Sequence, residues 1–171
     1  MRTHLLATLG ACLAAGPVVA HPVFSQPEVR AGAHWAGELR IGHGCDGSPT
    51  TSIRVEIPEE LLVVRAQPKP GWTLTIEREP LAEPAPGEGG RMVTERVTAV
   101  TWTGRLPDDQ FDAFGLAARL PDQPGALSFA VVQTCESGQV RWDEVPGPDG
   151  ARPAHPPAGL TLRPAEAHGH H

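Results

Sequence analysis

The residues Val18, Val19 and Ala20 form a small-residue stretch of the kind that precedes signal-peptide cleavage, and the residue that follows is a histidine. Cleavage there would give His21 a free α-amine. That amine and the ring Nδ1 can close a chelate on one metal ion, and an α-amino pKa of ~7.7–8.0 lets a metal displace the proton near neutral pH. Pro22 comes next, and its nitrogen has no proton to lose, so a peptide-type site that recruits successive backbone amides is blocked at its first step. Further ligands would have to come from side chains elsewhere or from water. Imidazole suits Cu, Zn and Ni.

Other donors narrow the metal. Met92 is the one methionine after the leader, so a thioether Cu(I) site is disfavoured and nitrogen and oxygen ligands point to Cu(II). Glu28, seven residues after His21, could add an anionic oxygen if the segment between them forms an edge strand and turns back; its ordinary role would be a solvated loop acid. His43 is either a hydrogen-bonding structural histidine or an accessory ligand, and His168, His170 and His171 form a tract able to gather metal without fixed geometry. No serine nucleophile elbow, phosphate-cradling glycine loop or cysteine-based catalytic pattern is present, and tyrosine is absent altogether.

The leader reads as residues 1–20, with Arg2 as its basic region and an apolar stretch too short and too rich in Gly and Ala to span a bilayer. A lipobox-like Leu9-Gly10-Ala11-Cys12 offers a competing signal with a shorter apolar core. No second apolar stretch follows, so the mature chain is expected to be exported, periplasmic or secreted, without a transmembrane segment. Loss of Arg2 leaves 13 Lys+Arg against 20 Asp+Glu, a formal charge of −7. Such a surface argues against nucleic acid and anionic membranes and is compatible with cations. Cys45 and Cys135 remain, and an even pair in an exported protein reads as one disulfide; the alternative, a thiolate site shared with His43, would have to survive oxidation.

Positioning these residues is the task of short strands. Period-two alternation recurs over 38–41, 52–57, 61–66, 72–77, 91–103, 111–120, 126–134, 139–143 and 160–163, each run bounded by turn residues such as Pro70-Gly71 and Pro124-Gly125. Ile53, Val55 and Ile57 face one way and Arg54 and Glu56 the other; Phe114, Leu116, Ala118 and Leu120 share another face. No window sustains a helical period, so the pattern predicts an all-β antiparallel sandwich. Residues 79–90 read as a mobile loop, 144–159 as a proline-rich extended wrap, and 164–171 as a histidine-rich tail after a single domain at 21–163.

Taken in order, several short motifs carry a resemblance. They are His21 directly after cleavage, Pro27-Glu28 followed by Gly32, the strand 53–57 ending in Pro58-Glu59, Pro70-Gly71-Trp72, Val100-Thr101-Trp102, the run 111–118, and Gln133-Thr134 leading to Gly138-Gln139-Val140-Arg141-Trp142. The chain resembles the YcnI-like family of exported bacterial copper-binding proteins over nearly all of its mature length. The resemblance implies an immunoglobulin/fibronectin-like sandwich that binds Cu(II) through a single-histidine brace: amine and Nδ1 from His21, a carboxylate oxygen from Glu28, and Trp142 covering the ion. An indole N–H is a donor only, so Trp142 would shield the cation and offer its π-face. Trp35, Trp72 and Trp102 are expected to pack in the core. Paired with Cys135, Cys45 would tie an early strand to the one leading toward Trp142.

The departures are Pro22 in place of a β-branched residue, and the segment from Ile41 to Gly47 containing His43 and Cys45. The leading function is periplasmic copper capture, transfer or buffering, with another periplasmic or membrane copper protein as partner. An alternative is a copper-dependent oxidase of the polysaccharide-cleaving type, which needs a second histidine from His34, His43 or His155. A structural or adhesive sandwich is the third class.

Overall fold

The computed structural model describes residues 21–165, and apart from one 3-10 turn at Glu88–Gly90 its regular elements are strands. In chain order they are β1 (Val23–Phe24), β2 (Glu28–Arg30), β3 (His34–Ile41), β4 (Thr50–Glu56), β5 (Val64–Ala66), β6 (Thr73–Pro86), β7 (Met92–Leu106), β8 (Asp112–Arg119), β9 (Gly125–Phe129), β10 (Val131–Cys135), β11 (Gln139–Trp142) and β12 (Ala158–Arg163). They form a four-stranded sheet β1-β3-β8-β5, a five-stranded sheet β11-β10-β4-β7-β6, and a three-stranded sheet β2-β12-β9. The sandwich predicted from alternation is present. Every pairing is antiparallel except β2 with β12, which is parallel.

The core forms where the inward faces meet. Ile53, Val55, Phe114, Leu116, Ala118 and Leu120 are buried as their spacing predicted. Trp102 and Phe114 bring the two larger sheets together with ring centroids 5.3 Å apart, and the Trp102 indole N–H donates to the Gln67 carbonyl at 3.0 Å. Trp72 packs edge-on against Phe114 at 4.9 Å. A second aromatic group joins Phe24 to Trp35 at 5.2 Å and to Phe129 at 4.9 Å, so the short β1 is anchored by Phe24 alone.

Two expectations are corrected. Residues 79–90 are largely strand: β6 runs to Pro86 and pairs with β7 as far as Pro86↔Met92, with a register shift between Pro80 and Ala85. Pro80, Pro84 and Pro86 are tolerated because β6 is the outer strand of its sheet, where a missing N–H removes no ladder bond. The run 126–134 is two strands: the chain leaves β9 at Phe129 and enters β10 at Val131, moving from the three-stranded to the five-stranded sheet. Residues 143–157 carry no strand, as the proline content suggested.

Candidate metal centre

His21 precedes a buried Pro22, and the Val23↔Arg40 and Phe24↔Leu39 pairings fix the strand that follows. Continuing that antiparallel register two residues back brings His21 level with Gly42, one residue before His43. β1 also packs against β12. Phe24 touches Phe129, and Phe129 pairs with Ala158, so residues before Phe24 and residues before Ala158 run toward the same edge of the sandwich. At that edge stands Trp142, paired with Val131 and in edge contact with the His155 ring at 5.1 Å. Trp142 and His155 thus share one corner at the end of β11, while β1 enters its sheet from the side of Gly42 and His43.

Trp142 is only 2% exposed, a core side chain, and its buried Nε1, like that of Trp35, has no hydrogen-bond partner among the described residues; as a donor only, it calls for an acceptor and not for a cation. His155 is held from the other side by Glu144. The Nδ1 lies 3.0 Å from Oε1, the backbone N–H of His155 donates to Oε2 at 3.0 Å, and the Glu144 N–H donates to the His155 carbonyl at 2.9 Å. The ring contact and then the backbone donor hold the Glu144 carboxyl below its ordinary range. The ring thus meets the carboxylate through Nδ1 and points Nε2 away from it.

The segment from His21 forms the edge strand β1, bends at Ser25 and Gln26 and enters β2, where Glu28 pairs with Thr161. The Glu28 carboxylate meets Arg163, with Oε2 accepting from Nη2 at 2.7 Å and Nε at 3.2 Å. The structure thus sets Glu28 against Arg163 and Trp142 against His155.

Cys45 and Cys135 are joined in a disulfide with Cα atoms 6.0 Å apart. Cys45 and Ser48 exchange backbone bonds of 3.0 and 2.8 Å around Asp46 and Gly47, whose φ angles of 47° and 83° give a tight hairpin turn suited to an Asp-Gly pair. Beside it, the buried Gln133 donates through Nε2 to the His43 carbonyl at 2.7 Å and the Thr50 hydroxyl at 2.8 Å, while His43 Nδ1 lies 2.5 Å from the Gly44 carbonyl. These contacts give His43 a structural role and leave its Nε2 uncommitted. Gln133 is the polar tie that sequence reasoning passed over, although an amide inside the apolar strand Val131–Cys135 is a visible signal.

His168, His170 and His171 and the leader 1–20 lie outside the described residues. Among the described residues no group of three or more His, Cys, Asp and Glu is placed to hold a metal, a test that a chelate made by one histidine and its own amine does not require. No helix among them is long and apolar enough to cross a membrane. A cleft beside His34, Glu88, Arg119 and Asp122 has its polar side chains already partnered: His34 sits 3.3 Å from Glu88 and Arg119 2.8 Å from Asp122.

Soft ligands are committed or distant: Cys45 and Cys135 are joined to each other and the exposed Met92 lies on the β6–β7 hairpin, which leaves the His155 imidazole and the Glu144 carboxylate as the donors beside Trp142. Among solved structures, the chain is similar to an uncharacterized protein from Nocardia farcinica whose crystal structure reveals an immunoglobulin-like fold. The two are 26% identical, with a TM-score of 0.63, covering 83% of this chain and 97% of that one. Among curated proteins nothing matches. Residues 21–162 match, from His21 onward, the family described as "Domain of unknown function (DUF1775)", and the chain belongs to that family.

Proposed function

We propose that this chain is an exported Cu(II)-binding protein whose mature form begins at His21 and holds the ion through the His21 α-amine and Nδ1. The observation that carries the reading is the placement of His21. It opens the family domain, it is followed by a buried proline, and it leads directly into β1, whose Phe24 packs against Trp35 and Phe129. Resemblance to the YcnI-like copper proteins supports the same assignment. The role of Trp142 is to wall the corner, excluding water from one side of the ion. Glu28 contributes only if it leaves Arg163 and the β2 register opens, so the chelate rests on His21 first. The biological role is copper capture, transfer or buffering, with delivery to another copper protein outside the cytoplasm.

The test is Cu(II) titration of protein beginning at His21, with residues 164–171 removed so that the tail histidines do not mask the result. One strong site with mixed nitrogen and oxygen ligation is expected. Adding a single residue before His21 acylates the amine and should abolish that site while the fold persists; unchanged affinity rejects the chelate.

A copper-dependent oxidase is the second reading, favoured by one observation: His155, an imidazole beside the Glu144 carboxylate and against Trp142, is available as its second histidine. Such an enzyme must consume oxygen with ascorbate faster than a tail peptide carrying equal copper. The binding reading expects no excess.

A further inference from the structure

The last strand carries the chain out of the domain beside a cleft that the chelate leaves unused. β12 runs parallel to β2, with Thr161 opposite Glu28 and Arg163 opposite Arg30, so the chain leaving Arg163 heads as β2 does, toward the turn at Ala31 and Gly32. The Ala31 N–H donates to the Arg163 carbonyl at 2.9 Å, and the Gly32 N–H donates to the Pro121 carbonyl at 2.7 Å. Gly32 lies so close to Asp122 that a methyl group there would come 2.6 Å from Oδ1. Pro121 and Asp122 line the cleft together with His34 and Glu88. Past the exposed Pro164 and Ala165 the sequence continues as Glu166, Ala167, His168, Gly169, His170 and His171. At about 3.3–3.6 Å per residue, an extended chain reaches roughly 10 Å from Ala165 to His168 and roughly 20 Å to His171, enough to bring imidazoles over the cleft.

The cleft suits that occupant. Its volume is about 570 Å³, and Leu62, Val63 and Val93 give it apolar walls. Three carboxylates, from Glu60, Glu88 and Asp122, face Arg119 and the Arg65 guanidinium that reaches Glu88 at 3.5 Å, an excess that favours cations. His34 is 76% exposed, and its Nδ1 lies 3.3 Å from Glu88 Oε1. A carboxylate on one ring nitrogen orients the other, the arrangement found behind metal-bound imidazoles. His34 opens β3 and Ile41 closes it, so roughly 24 Å of strand separates this end from the one where β1 enters. We propose that residues 166–171 fold back over this cleft, and that a divalent ion with a preference for imidazole, such as Zn(II), joins their histidines to His34 Nε2, with Glu88 as the positioning residue. His34 gives a tract without fixed geometry one fixed ligand. The site is separate from the His21 chelate and is tested apart from it.

The experiment is calorimetric titration with Zn(II), read alongside amide NMR spectra, on protein carrying one added residue before His21, which acylates the amine and silences the chelate. One Zn(II) per chain is expected, with shifts at His34, Gly87 and Asp122. Removing residues 166–171 should abolish binding, and His34→Ala should lower affinity at least tenfold. Glu88→Gln keeps the imidazole and weakens its support, and should lower affinity by about tenfold. It also reads the proposal if the metal-free spectrum shows that His34→Ala disturbs the fold. Undiminished affinity in both variants, or shifts absent from the cleft, means that the tail gathers metal alone and overturns the inference. Binding that survives removal of residues 166–171 overturns it as well. A dimer formed on adding Zn(II), read by light scattering, assigns the cleft to a second copy and rejects the fold-back.

Discussion

Strand β10 ends in two neighbourhoods that treat polar groups in opposite ways. At Gln133 and Cys135 every buried group is matched: the amide serves two acceptors, the cysteine is bonded to Cys45, and the Cys135 N–H reaches the Gly138 carbonyl at 3.0 Å. At Val131, four residues earlier, the partner Trp142 carries a buried donor with no acceptor among the described residues and lies against the half-exposed His155 ring. Buried polar groups left unpaired cost about 1–3 kcal/mol, so a closed network reads as structure and residual valence reads as a place for something else. The difference separates His43 from His155, two histidines that the sequence presents as equals.

The largest expected effect lies on the closed side. Replacing Cys45 and Cys135 together by Ser should destabilise the protein by about 4–5 kcal/mol if loop-closure entropy dominates, because the bridge closes a loop with a sequence separation of 90 residues. Denaturant unfolding of the oxidised and double-Ser proteins measures it. A loss below about 1 kcal/mol would mean that Gln133 and the hairpin turn already fix this end. Gln133→Leu comes next: it strands the His43 carbonyl and the Thr50 hydroxyl, at roughly 1–3 kcal/mol for each group left without a partner.

The open side should respond differently to the same kind of change. Trp142→Phe keeps an aromatic ring in the core and removes a donor that bonds to nothing, whereas Trp102→Phe also breaks the bond to the Gln67 carbonyl. Trp142→Phe should therefore be the milder by about 1 kcal/mol, the net worth of a typical hydrogen bond. Equal losses would show that Trp142 Nε1 finds an acceptor in solution and that the corner is not open.

Most of the sheet was legible in the sequence because strands with one buried face alternate, as in Ile53, Val55 and Ile57 or Phe114, Leu116 and Ala118. The misreadings share a cause. Between Phe129 and Val132 the alternation lapses, since the chain changes sheets there and Phe129, Val131 and Val132 are all buried. Strand β2 has three residues and is recruited by a parallel partner 133 positions away, a pairing no local pattern announces. Of the candidate site, the sequence offered His21 and, through resemblance, Trp142. Resemblance offered Glu28 as well, but not its ion pair with an arginine that β12 brings from far along the chain. His155 was visible only as one of three candidate second histidines, because its partner Glu144 lies eleven residues back across a proline-rich segment, a distance that periodicity does not bridge.

The smallest effect concerns pH and bears on whether Glu144 and His155 act together. The folded protein holds the Glu144 carboxyl below its ordinary range, chiefly through the His155 ring. A depressed carboxyl contributes its stabilisation fully above the unfolded value near ~4.3 and loses it as pH falls through the lower, folded value. The backbone N–H of His155 donates to that carboxylate, so its hydrogen exchange should stay protected above the ordinary glutamate range and become faster on acidification below it, beyond the intrinsic pH dependence. Glu144→Gln should remove that acid-sensitive step while retaining a neutral acceptor for the same N–H. The Gln133 side-chain amide, bound to uncharged acceptors on the closed side, should show no matching transition. If both ends of β10 loosen in step, the acid is unfolding the whole domain and the corner has no independent behaviour; if only the His155 end responds, the two neighbourhoods are separable and the imidazole is free to take a new partner without disturbing the knot beside it.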